Sequence, residues 1–235
     1  MNDRARGAAC DHTRSRSGAG RTRSLRSLAQ ARIDRQLAND LLLLLEHPPV
    51  VTLGRNSRAA HLLSPVGLDV FEIERGGDVT FHGPGQLVGY PILDLTGHKP
   101  DLHWYLRTLE EALVTALAEI GIPAGRNPPY TGVWTRGGGR KIASIGIHVK
   151  QWVTWHGFAL NVTTDLAQFE RIVPCGIPGV EMTSVQREMG EGRGERDLWN
   201  AALTSVIHGF ETAFGVEATV HDEVSRGAAA SHPGA

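Results

Sequence analysis

One cysteine lies in a segment whose composition suits a nucleophile. Cys175 stands between Pro174 and Gly176 in the stretch IVPCGIPG, with a second proline and a second glycine close behind. Proline fixes its own backbone and glycine permits tight bends, so this loop should present the thiol on a rigid, sharply turning backbone. Cysteine more often packs as a small apolar side chain, but a loop of prolines and glycines is a poor place to fill a core. Cys175 is therefore a candidate nucleophile.

The candidate partner of this cysteine is Lys141, which follows a glycine-rich turn and begins an alternating strand pattern. A nucleophilic cysteine reacts as the thiolate, and a nearby cation favours that form. Lysine is rare in this chain, where three of the 24 Lys and Arg positions are lysine and the others are arginine. Of the two residue types, only lysine can lose a proton within reach of neutral pH. We expect Lys141 Nζ to lie within a few ångströms of Cys175 Sγ, although a solvated surface lysine would fit the same pattern.

Two further glycine-rich stretches occupy 75–91 (RGGDVTFHGPGQLVGYP) and 132–149 (GVWTRGGGRKIASIGIHV). Such glycine density lets a backbone approach a ligand closely, although glycine-rich loops are often only turns. The first stretch lacks the G-x-x-x-x-G-K-[ST] order of a phosphate-binding loop, which disfavours a nucleotide site. The 11 histidines show no metal-ligand spacing, so we expect no bound metal and interpret His82 as a hydrogen-bonding pocket residue.

Bulk composition indicates a folded protein that neither binds nucleic acid nor crosses a membrane. With 235 residues, 41% of them hydrophobic, the chain can bury one sizeable core. No apolar run approaches the roughly 20 residues of a membrane helix, so we expect a soluble protein. The arginines of residues 1–35 leave the remainder of the chain acidic, which disfavours a nucleic-acid-binding body. Two cysteines, Cys10 and Cys175, are too few for a disulfide framework, which fits a reducing compartment.

The order of helix and strand patterns predicts an α+β fold built on a mixed sheet. Apolar residues recur at helical spacing from Asp101, the expected N-cap, to Ile120, and again from Asp197 to Phe214. The β-type runs are 41–45, 50–53, 70–74, 79–81, 87–95, 132–134, 142–149 and 153–161.

The two ends of the chain are polar and of low complexity. Residues 1–24 are rich in arginine, serine and glycine, and 225–235 are similarly biased, so both segments should remain unfolded. The first segment could be an organelle transit peptide or a plain upstream extension, and we favour the extension. Residues 25–224 should form a single domain.

Five blocks of this sequence together resemble the lipoyl(octanoyl) transferase family, the octanoyltransferases of lipoate biosynthesis. The blocks are LLLLLEHPPVVTLGR, RGGDVTFHGPGQLVGYPILDL, GVWTRGGGRKIASIGIHV, HGFALNV and FERIVPCGI, followed by a Thr-Ser pair at 183–184. The resemblance implies the α+β catalytic domain, with a mixed sheet packed by helices, that this family shares with biotin and lipoate protein ligases. One departure is that no strand is recognisable before the LLLLL block, so we expect an edge element to be missing or replaced.

The resemblance also implies an activity. Octanoyl would pass from acyl carrier protein to a lysine of a lipoyl domain, as in the glycine cleavage H protein or the E2 subunits of 2-oxoacid dehydrogenases. In the family, the cysteine matching Cys175 carries the acyl group as a thioester and the lysine matching Lys141 activates it. No cofactor would be needed. The implied acyl pocket is lined by Arg75, Gly76, Gly77, Asp78, Val79, Thr80, Phe81, His82, Ser144, Ile145, Gly146, Gly157, Phe158 and Ala159.

A docking surface should attract the acidic carrier and lipoyl proteins to this acidic body. Five basic residues cluster in sequence around the Lys141 loop, and a local basic patch would steer such partners. The expected patch consists of Arg126, Arg136, Arg140, Lys141 and Lys150.

Other functions stay open on the sequence. A lipoate or biotin protein ligase of the same fold would activate a free acid with ATP. A cysteine thioesterase would pair Cys175 with His82 or His156 and pass the acyl group to water. A non-catalytic binder of carrier protein would leave the cysteine unreactive. For each of these functions, we expect the bacterial cytoplasm as the location, with mitochondrion or plastid as the alternative.

Overall fold

The computed structural model describes residues 7–14, 18–135, 139–190 and 192–221, and it describes side chains from residue 25 onward. Its helices are α1 (Gly18–Ile33), α2 (Leu102–Glu119), α3 (Val185–Met189) and α4 (Glu195–Phe214). Its strands are β1 (Gly7–Arg14), β2 (Asp40–Glu46), β3 (Val50–Leu53), β4 (Asp69–Glu72), β5 (Thr80–His82), β6 (Gln86–Ile92), β7 (Ala124–Gly125), β8 (Val133–Thr135), β9 (Lys141–Lys150), β10 (Val153–Asn161) and β11 (Glu217–His221). Within the described ranges, no helix combines the length and hydropathy needed to cross a bilayer.

Most strands belong to one mixed sheet, which confirms the predicted α+β class. The strand order of this main sheet is β11-β1-β2-β6-β10-β9-β8-β7. β1 pairs in parallel with β2 and β11, whereas the other neighbours are antiparallel. A smaller sheet has the order β4-β3-β5.

Helices α2 and α4 cover one face of the main sheet and bury the larger hydrophobic core. Asp101 caps α2 by accepting a hydrogen bond from Trp104 N at 3.0 Å, as its place before the periodic pattern predicts. Gly215 ends α4 in the left-handed conformation, with a φ of 65°. The two helices approach closely at Gly209, where a Cβ would lie 2.2 Å from Ala112 O. This packing holds the sheet whose opposite face carries the candidate site.

The opposite face of the main sheet is covered by α1 and the small sheet. Leu25 and Ala29 of α1 pack in one buried cluster with Val88 and Tyr90 of β6 and Ala159 of β10. The small sheet lies beside α1, and residues of β3, β4 and β5 line the same cavity as residues of β6, β9 and β10. The site is therefore enclosed between two sheets and a helix.

An N-terminal strand is the main difference from the sequence prediction. The composition of residues 1–24 predicts an unfolded segment, but the structure places β1 inside it and begins α1 at Gly18. β1 pairs on both sides, with Ala9 opposite Leu41 of β2 and opposite Thr219 of β11. Backbone pairing on two sides needs no apolar alternation, so the stretch GAACDHTR gave no strand signal. The expectation of a missing or replaced element before β2 was therefore wrong, because β1 supplies that strand.

The structure describes the C-terminal end of the domain only as far as residue 221. β11, which the sequence patterns did not predict, ends at His221. Residues 225–235 lie outside the described residues, so their expected lack of structure and the domain boundary at 224 stay predictions.

Candidate active site

A cavity of about 360 Å³ lies between the main sheet, the small sheet and α1. Cys175 and Lys141 both lie on its wall, although they are far apart in the sequence. Most of the predicted pocket residues also line it, namely Arg75, Gly77, Asp78, Thr80, His82, Ser144, Ile145, Gly146, Gly157, Phe158 and Ala159. The fold thus brings the glycine-rich stretches and the cysteine loop together around one space.

Three of the predicted pocket residues do not line this cavity. Val79 and Phe81 alternate with Thr80 and His82, so their side chains lie on the other side of the strand, in a separate buried cluster. Gly76 instead joins the backbone of β9 through a hydrogen bond of 2.8 Å. These three residues support the wall from behind rather than contact its contents.

Cys175 lies in a short 3-10 turn, Pro174–Gly176, with a strained backbone. Its φ of 57° and ψ of 17° fall in the left-handed region, which costs a non-glycine residue about 1–2 kcal/mol. Hydrogen bonds hold the turn, from Cys175 N to Val79 O at 2.9 Å and from Gly176 N to Val173 O at 3.0 Å. Non-glycine residues in such conformations cluster at functional sites, where the surroundings enforce them. The predicted rigid, sharply turning loop is confirmed.

A buried carboxylate braces this turn. Asp78 Oδ2 lies 2.7 Å from His61 Nδ1, and Asp78 Oδ1 accepts a hydrogen bond from Val79 N at 2.7 Å. A Cβ at Gly176 would lie 2.5 Å from Asp78 Oδ2, so glycine is required where the turn meets the carboxylate. His61 O in turn accepts a hydrogen bond from Val173 N at 2.8 Å. The Cys175 turn is therefore anchored before and after the cysteine.

Lys141 is buried at the start of β9, with 1% of its surface exposed. Its Nζ donates a hydrogen bond to Thr131 O at 3.2 Å and lies 4.6 Å from the centroid of the Trp134 ring. A Cβ at Gly132 would lie 3.0 Å from Lys141 Cε, so that glycine leaves room for the side chain. Within the described part of the chain, no carboxylate forms an ion pair with Lys141. Burying an ammonium without an acidic partner is costly, and it leaves the charge available to a ligand in the cavity.

The predicted contact between lysine and cysteine is not a hydrogen bond in this structure. Cys175 Sγ lies 3.5 Å from Ser144 Oγ, and among the described residues this hydroxyl is its side-chain hydrogen-bond partner. Lys141 Nζ is bonded to Thr131 O instead. Both side chains reach the same cavity wall, with Ser144 on the same strand as Lys141. The sequence placed Ser144 in the acyl pocket but did not predict its contact with the Cys175 sulfur.

Arg75 places a second buried cation on the cavity wall. Its guanidinium donates to Thr52 O at 2.7 Å and to Thr52 Oγ1 at 2.9 Å. Burial lowers the pKa of Arg75, and the charge of Cys175 is the largest influence that opposes this. Gly146 makes room for the side chain, because a Cβ there would lie 3.0 Å from Arg75 Cδ. A thiolate at Cys175 therefore lies in the field of a buried guanidinium, in the cavity that Lys141 also lines.

His82 belongs to a buried chain of hydrogen bonds. Its Nδ1 lies 2.7 Å from Gln86 Oε1, and Gln86 Nε2 donates to Asn161 Oδ1 at 2.9 Å. Burial, followed by the nearby Arg75 charge, lowers the pKa of His82 to about 4. The imidazole is therefore neutral at neutral pH, and the prediction that His82 is a hydrogen-bonding pocket residue is confirmed.

Three of the cavity residues that were not predicted to line the pocket contact one another through their rings. His47 Nε2 lies 2.6 Å from Tyr90 Oη, and the Tyr90 ring packs against His156 in an edge-on arrangement. His156 has a φ of 57°, and its Nε2 lies 3.7 Å from Glu74 Oε1. Burial lowers the pKa of His156 although Glu74 opposes this. His47 and Tyr90 stand within the quoted blocks EHPPV and VGYP, so their presence there was the available signal.

The histidine arrangement does not resemble a thioesterase dyad. Among the described residues, neither His82 nor His156 forms a hydrogen bond with Cys175. Within the same residues, no three His, Cys, Asp or Glu side chains are grouped so as to hold a metal ion. The available polar chemistry at the thiol comes instead from Ser144, Lys141 and Arg75.

The predicted docking patch around Lys141 is not formed as expected. Lys141 is buried, so its place in a surface patch was wrong. Arg140 forms a two-pronged ion pair with Glu188, and Arg126 pairs with carboxylates of α2. Lys150 is exposed, whereas Arg136 lies outside the described residues. The ion pairs neutralise two of the five expected patch residues, Arg126 and Arg140.

Comparison with known proteins identifies sequence relatives across most of the chain. The model of the lipoyl protein ligase A/B catalytic domain matches residues 24–207. A protein from Gloeobacter violaceus named octanoyltransferase is 54% identical over 173 residues, which are 68% of this chain and 77% of that protein. An octanoyltransferase from Geobacter metallireducens is 57% identical over 151 residues (64% and 70%), and one from Nostoc sp. is 47% identical over 201 residues (82% and 85%).

Solved structures share the fold at low sequence identity. A lipoate-protein ligase A bound with ATP has a TM-score of 0.70 at 18% identity, covering 93% of this chain and 90% of that chain. A bipartite lipoate protein ligase from Thermoplasma acidophilum has a TM-score of 0.67 at 18% identity, covering 94% and 89%. At this identity the likeness shows the fold alone, and it confirms the expected architecture of a lipoate ligase catalytic domain.

Proposed function

This chain belongs to the family of lipoyl protein ligase A/B catalytic domains, and we propose that it transfers octanoyl through a thioester on Cys175. The acceptor is a lysine of a lipoyl domain, and the donor is octanoyl-acyl carrier protein. The names of its relatives, octanoyltransferases at 47–57% identity, support the acyl group and the reaction class. The glycine cleavage H protein and the E2 subunits of 2-oxoacid dehydrogenases are the acceptors we propose, and the cytoplasm is the location.

The observation that carries the proposal is the cavity that holds Cys175 and Lys141 on one wall. Beyond them the wall is lined by apolar groups such as Leu25, Val88 and Ala159, which suit an acyl chain. Gly146 and Gly157 also line the cavity, and the space beside them is taken by protein atoms, since a Cβ would lie 3.0 Å from Arg75 Cδ and 2.2 Å from Gly89 O respectively. A polar entrance with a thiol and an apolar interior is the arrangement that a medium-chain thioester needs.

The first half-reaction is a thioester exchange. The Cys175 thiolate attacks the carbonyl carbon of the carrier thioester, the bond from that carbon to the carrier sulfur breaks, and the carrier leaves as a thiol because Lys141 gives its proton to the departing sulfur. The positive charges of Lys141 and Arg75 stabilise the enzyme thiolate before attack. One thioester replaces another, so the step needs no ATP.

The second half-reaction moves the acyl group to nitrogen. The acceptor lysine loses a proton, its amine attacks the thioester carbon, and the bond from that carbon to Cys175 Sγ breaks. Lys141, once it has given its own proton to the departing carrier sulfur, accepts the proton of the incoming amine. The product is an amide, which is more stable than the thioester, so the second step draws the sequence forward.

Both half-reactions pass through an oxyanion that needs hydrogen-bond donors. The backbone N–H groups of Cys175 and Gly176 already donate to carbonyls of the protein. We therefore assign the Ser144 hydroxyl, 3.5 Å from the sulfur, and the Lys141 ammonium as the donors.

The intact mass of the protein after incubation with octanoyl-acyl carrier protein tests the proposal. Without ATP, the wild type should gain the mass of one octanoyl group, and adding a lipoyl domain should move that mass to the domain. Cys175→Ser should gain nothing.

Two results would point to the other candidates. An ATP-dependent ligase would modify the lipoyl domain from free octanoate and ATP, with activity surviving in Cys175→Ser. A thioesterase would release free octanoate as the main product even with a lipoyl domain present.

A further inference from the structure

A fully buried carboxylate lies behind the Lys141 side of the cavity. Glu110, on α2, has no exposed surface, and its Oε2 lies 2.6 Å from Arg107 Nη1 and 3.0 Å from Arg126 Nε. Its other oxygen, Oε1, accepts a hydrogen bond from Gly132 N at 3.1 Å. One carboxylate thus joins two arginines to the backbone of a loop.

That loop is the one that holds the lysine. Thr131 O, the carbonyl next to Gly132 N, accepts the hydrogen bond from Lys141 Nζ at 3.2 Å. Gly132 has a φ of 130°, and a Cβ there would lie 2.6 Å from Ala143 O, so the loop is seated tightly against β9. The peptide between Thr131 and Gly132 therefore donates its N–H to Glu110 and accepts a hydrogen bond from Lys141 at its carbonyl.

The polarity of this peptide links its two hydrogen bonds. An acceptor on the N–H of an amide strengthens its carbonyl as an acceptor, because hydrogen bonds in a chain polarise one another. The carboxylate supplies this acceptor from inside the protein, where water does not compete. Burying a carboxylate is costly, and the two arginines offset that cost.

We propose that Glu110 is a positioning residue for Lys141, which fixes the 131–132 peptide so that the ammonium stays on the cavity wall. This inference rests on the proposed function, since it assigns a role to the lysine of that site. It also gives Arg126 a role as a partner of Glu110 instead of a docking group. Sequence reasoning could not find Glu110, which stands on the buried side of a helix with ordinary spacing.

The chain offers a matched control in Glu111. Glu111 also pairs with Arg126, at 3.1 Å, but it lies on the surface and has no hydrogen bond to the 131–132 peptide. Glu110→Ala and Glu110→Gln should therefore be compared with Glu111→Gln. The glutamine variant keeps the shape of the side chain, so it can still be tested if the alanine variant does not fold.

Two readouts separate positioning from general stability. The first is the rate of octanoyl transfer from pre-acylated enzyme to a lipoyl domain, which should fall roughly 10–100-fold in the Glu110 variants and stay within about twofold in Glu111→Gln. The second is the NMR signal of the Lys141 Cε protons, which the Trp134 ring shifts upfield. Three lysines in the chain make this signal assignable with Lys141→Ala.

The expected result is that the Glu110 variants lose both the transfer rate and the upfield shift while Glu111→Gln keeps both. Folded Glu110 variants that keep the shift and the wild-type transfer rate would overturn the positioning role. A wild type that forms no adduct on Cys175 would instead refute the proposed function.

Discussion

The two ends of the cavity are built in opposite ways. The reactive end, defined by Lys141, Ser144 and Cys175, combines a left-handed cysteine with a buried lysine whose ammonium has one carbonyl as its hydrogen-bond partner in the described structure. The inner end, defined by Leu25 and Tyr90, packs α1 against β6 in a closed cluster. Ser144 lies on β9 and Tyr90 on β6 with β10 between them, so roughly 10 Å of sheet separate the ends.

Several polar groups of the inner end pair with one another. His82 is paired with Gln86, and His47 with Tyr90. His156 is the exception, because its backbone is also left-handed, and its nearest acidic partner is Glu74 at 3.7 Å. What distinguishes the reactive end is a buried ammonium with no acidic partner among the described residues, while the inner end shapes the space for the chain. Substitutions at the two ends should therefore have different effects.

The largest effect is expected for Cys175→Ser. Loss of the thiol removes the acyl-enzyme, so transfer from octanoyl-acyl carrier protein should fall by roughly 10³-fold or more. Serine is close to cysteine in size, so the packing around residue 175 should not change, and the thermal midpoint should stay close to that of the wild type. Cys10→Ser is the matched control, and it should keep full transfer. Substantial transfer activity in Cys175→Ser would contradict the assignment of the reactive end to Cys175.

Lys141→Met should be next in size. Methionine keeps an unbranched side chain in the buried space but removes the charge and the proton acceptor, so transfer should fall roughly 10²–10⁴-fold. Stability should hold or rise, because a buried ammonium is replaced by an apolar group. Lys150→Met, on the exposed end of the same strand, should leave transfer and stability unchanged. Single-turnover kinetics and thermal unfolding measure both, and a large loss of stability with little loss of rate would contradict the assignment.

The pH dependence of stability sharpens the account of the inner end. The pKa of His82 is about 4 in the folded protein, below the usual value near 6.5, so protonation favours the unfolded chain. The contribution of neutral His82 is complete above about pH 6.5 and is lost as pH falls toward 4, which amounts to roughly 3 kcal/mol. Urea unfolding at several pH values should show this loss in the wild type and a smaller one in His82→Gln. His103→Gln, on the exposed side of α2, should follow the wild type.

The smallest effect on rate is expected at Leu25. Leu25→Ala should destabilise the protein by about 2–4 kcal/mol and enlarge the inner end of the cavity. Transfer of octanoyl should change little, whereas a ten-carbon chain should gain several-fold relative to eight carbons in a direct competition. Leu28 lies in the same cluster but does not line the cavity, so Leu28→Ala should destabilise without changing this preference. An unchanged preference in Leu25→Ala would place the end of the chain elsewhere.

Local signals made part of this molecule predictable from its sequence. Asp101 before a periodic apolar pattern gave the start of α2, and proline and glycine around Cys175 gave the bent loop. The alternation along 79–82 also held the information that His82 faces the pocket and Phe81 does not, although a motif treated as one block concealed it.

Nonlocal contacts explain what the sequence did not reveal. β1 is formed by backbone pairing with β2 and β11, which its side-chain pattern does not encode. The hydrogen bond from Lys141 to Thr131 O depends on a loop conformation, and no residue type marks a carbonyl that accepts it. The burial of Lys141 was hidden for the same reason, since the sequence shows only a basic residue after a turn.

The most direct test of the central claim is a crystal structure of the wild type after loading with octanoyl-acyl carrier protein. We predict continuous density from Cys175 Sγ, past Gly146 and Gly157, to an end near Tyr90 and Leu25. Density for an acyl chain attached elsewhere, or a chain that leaves the cavity for solvent, would contradict the account.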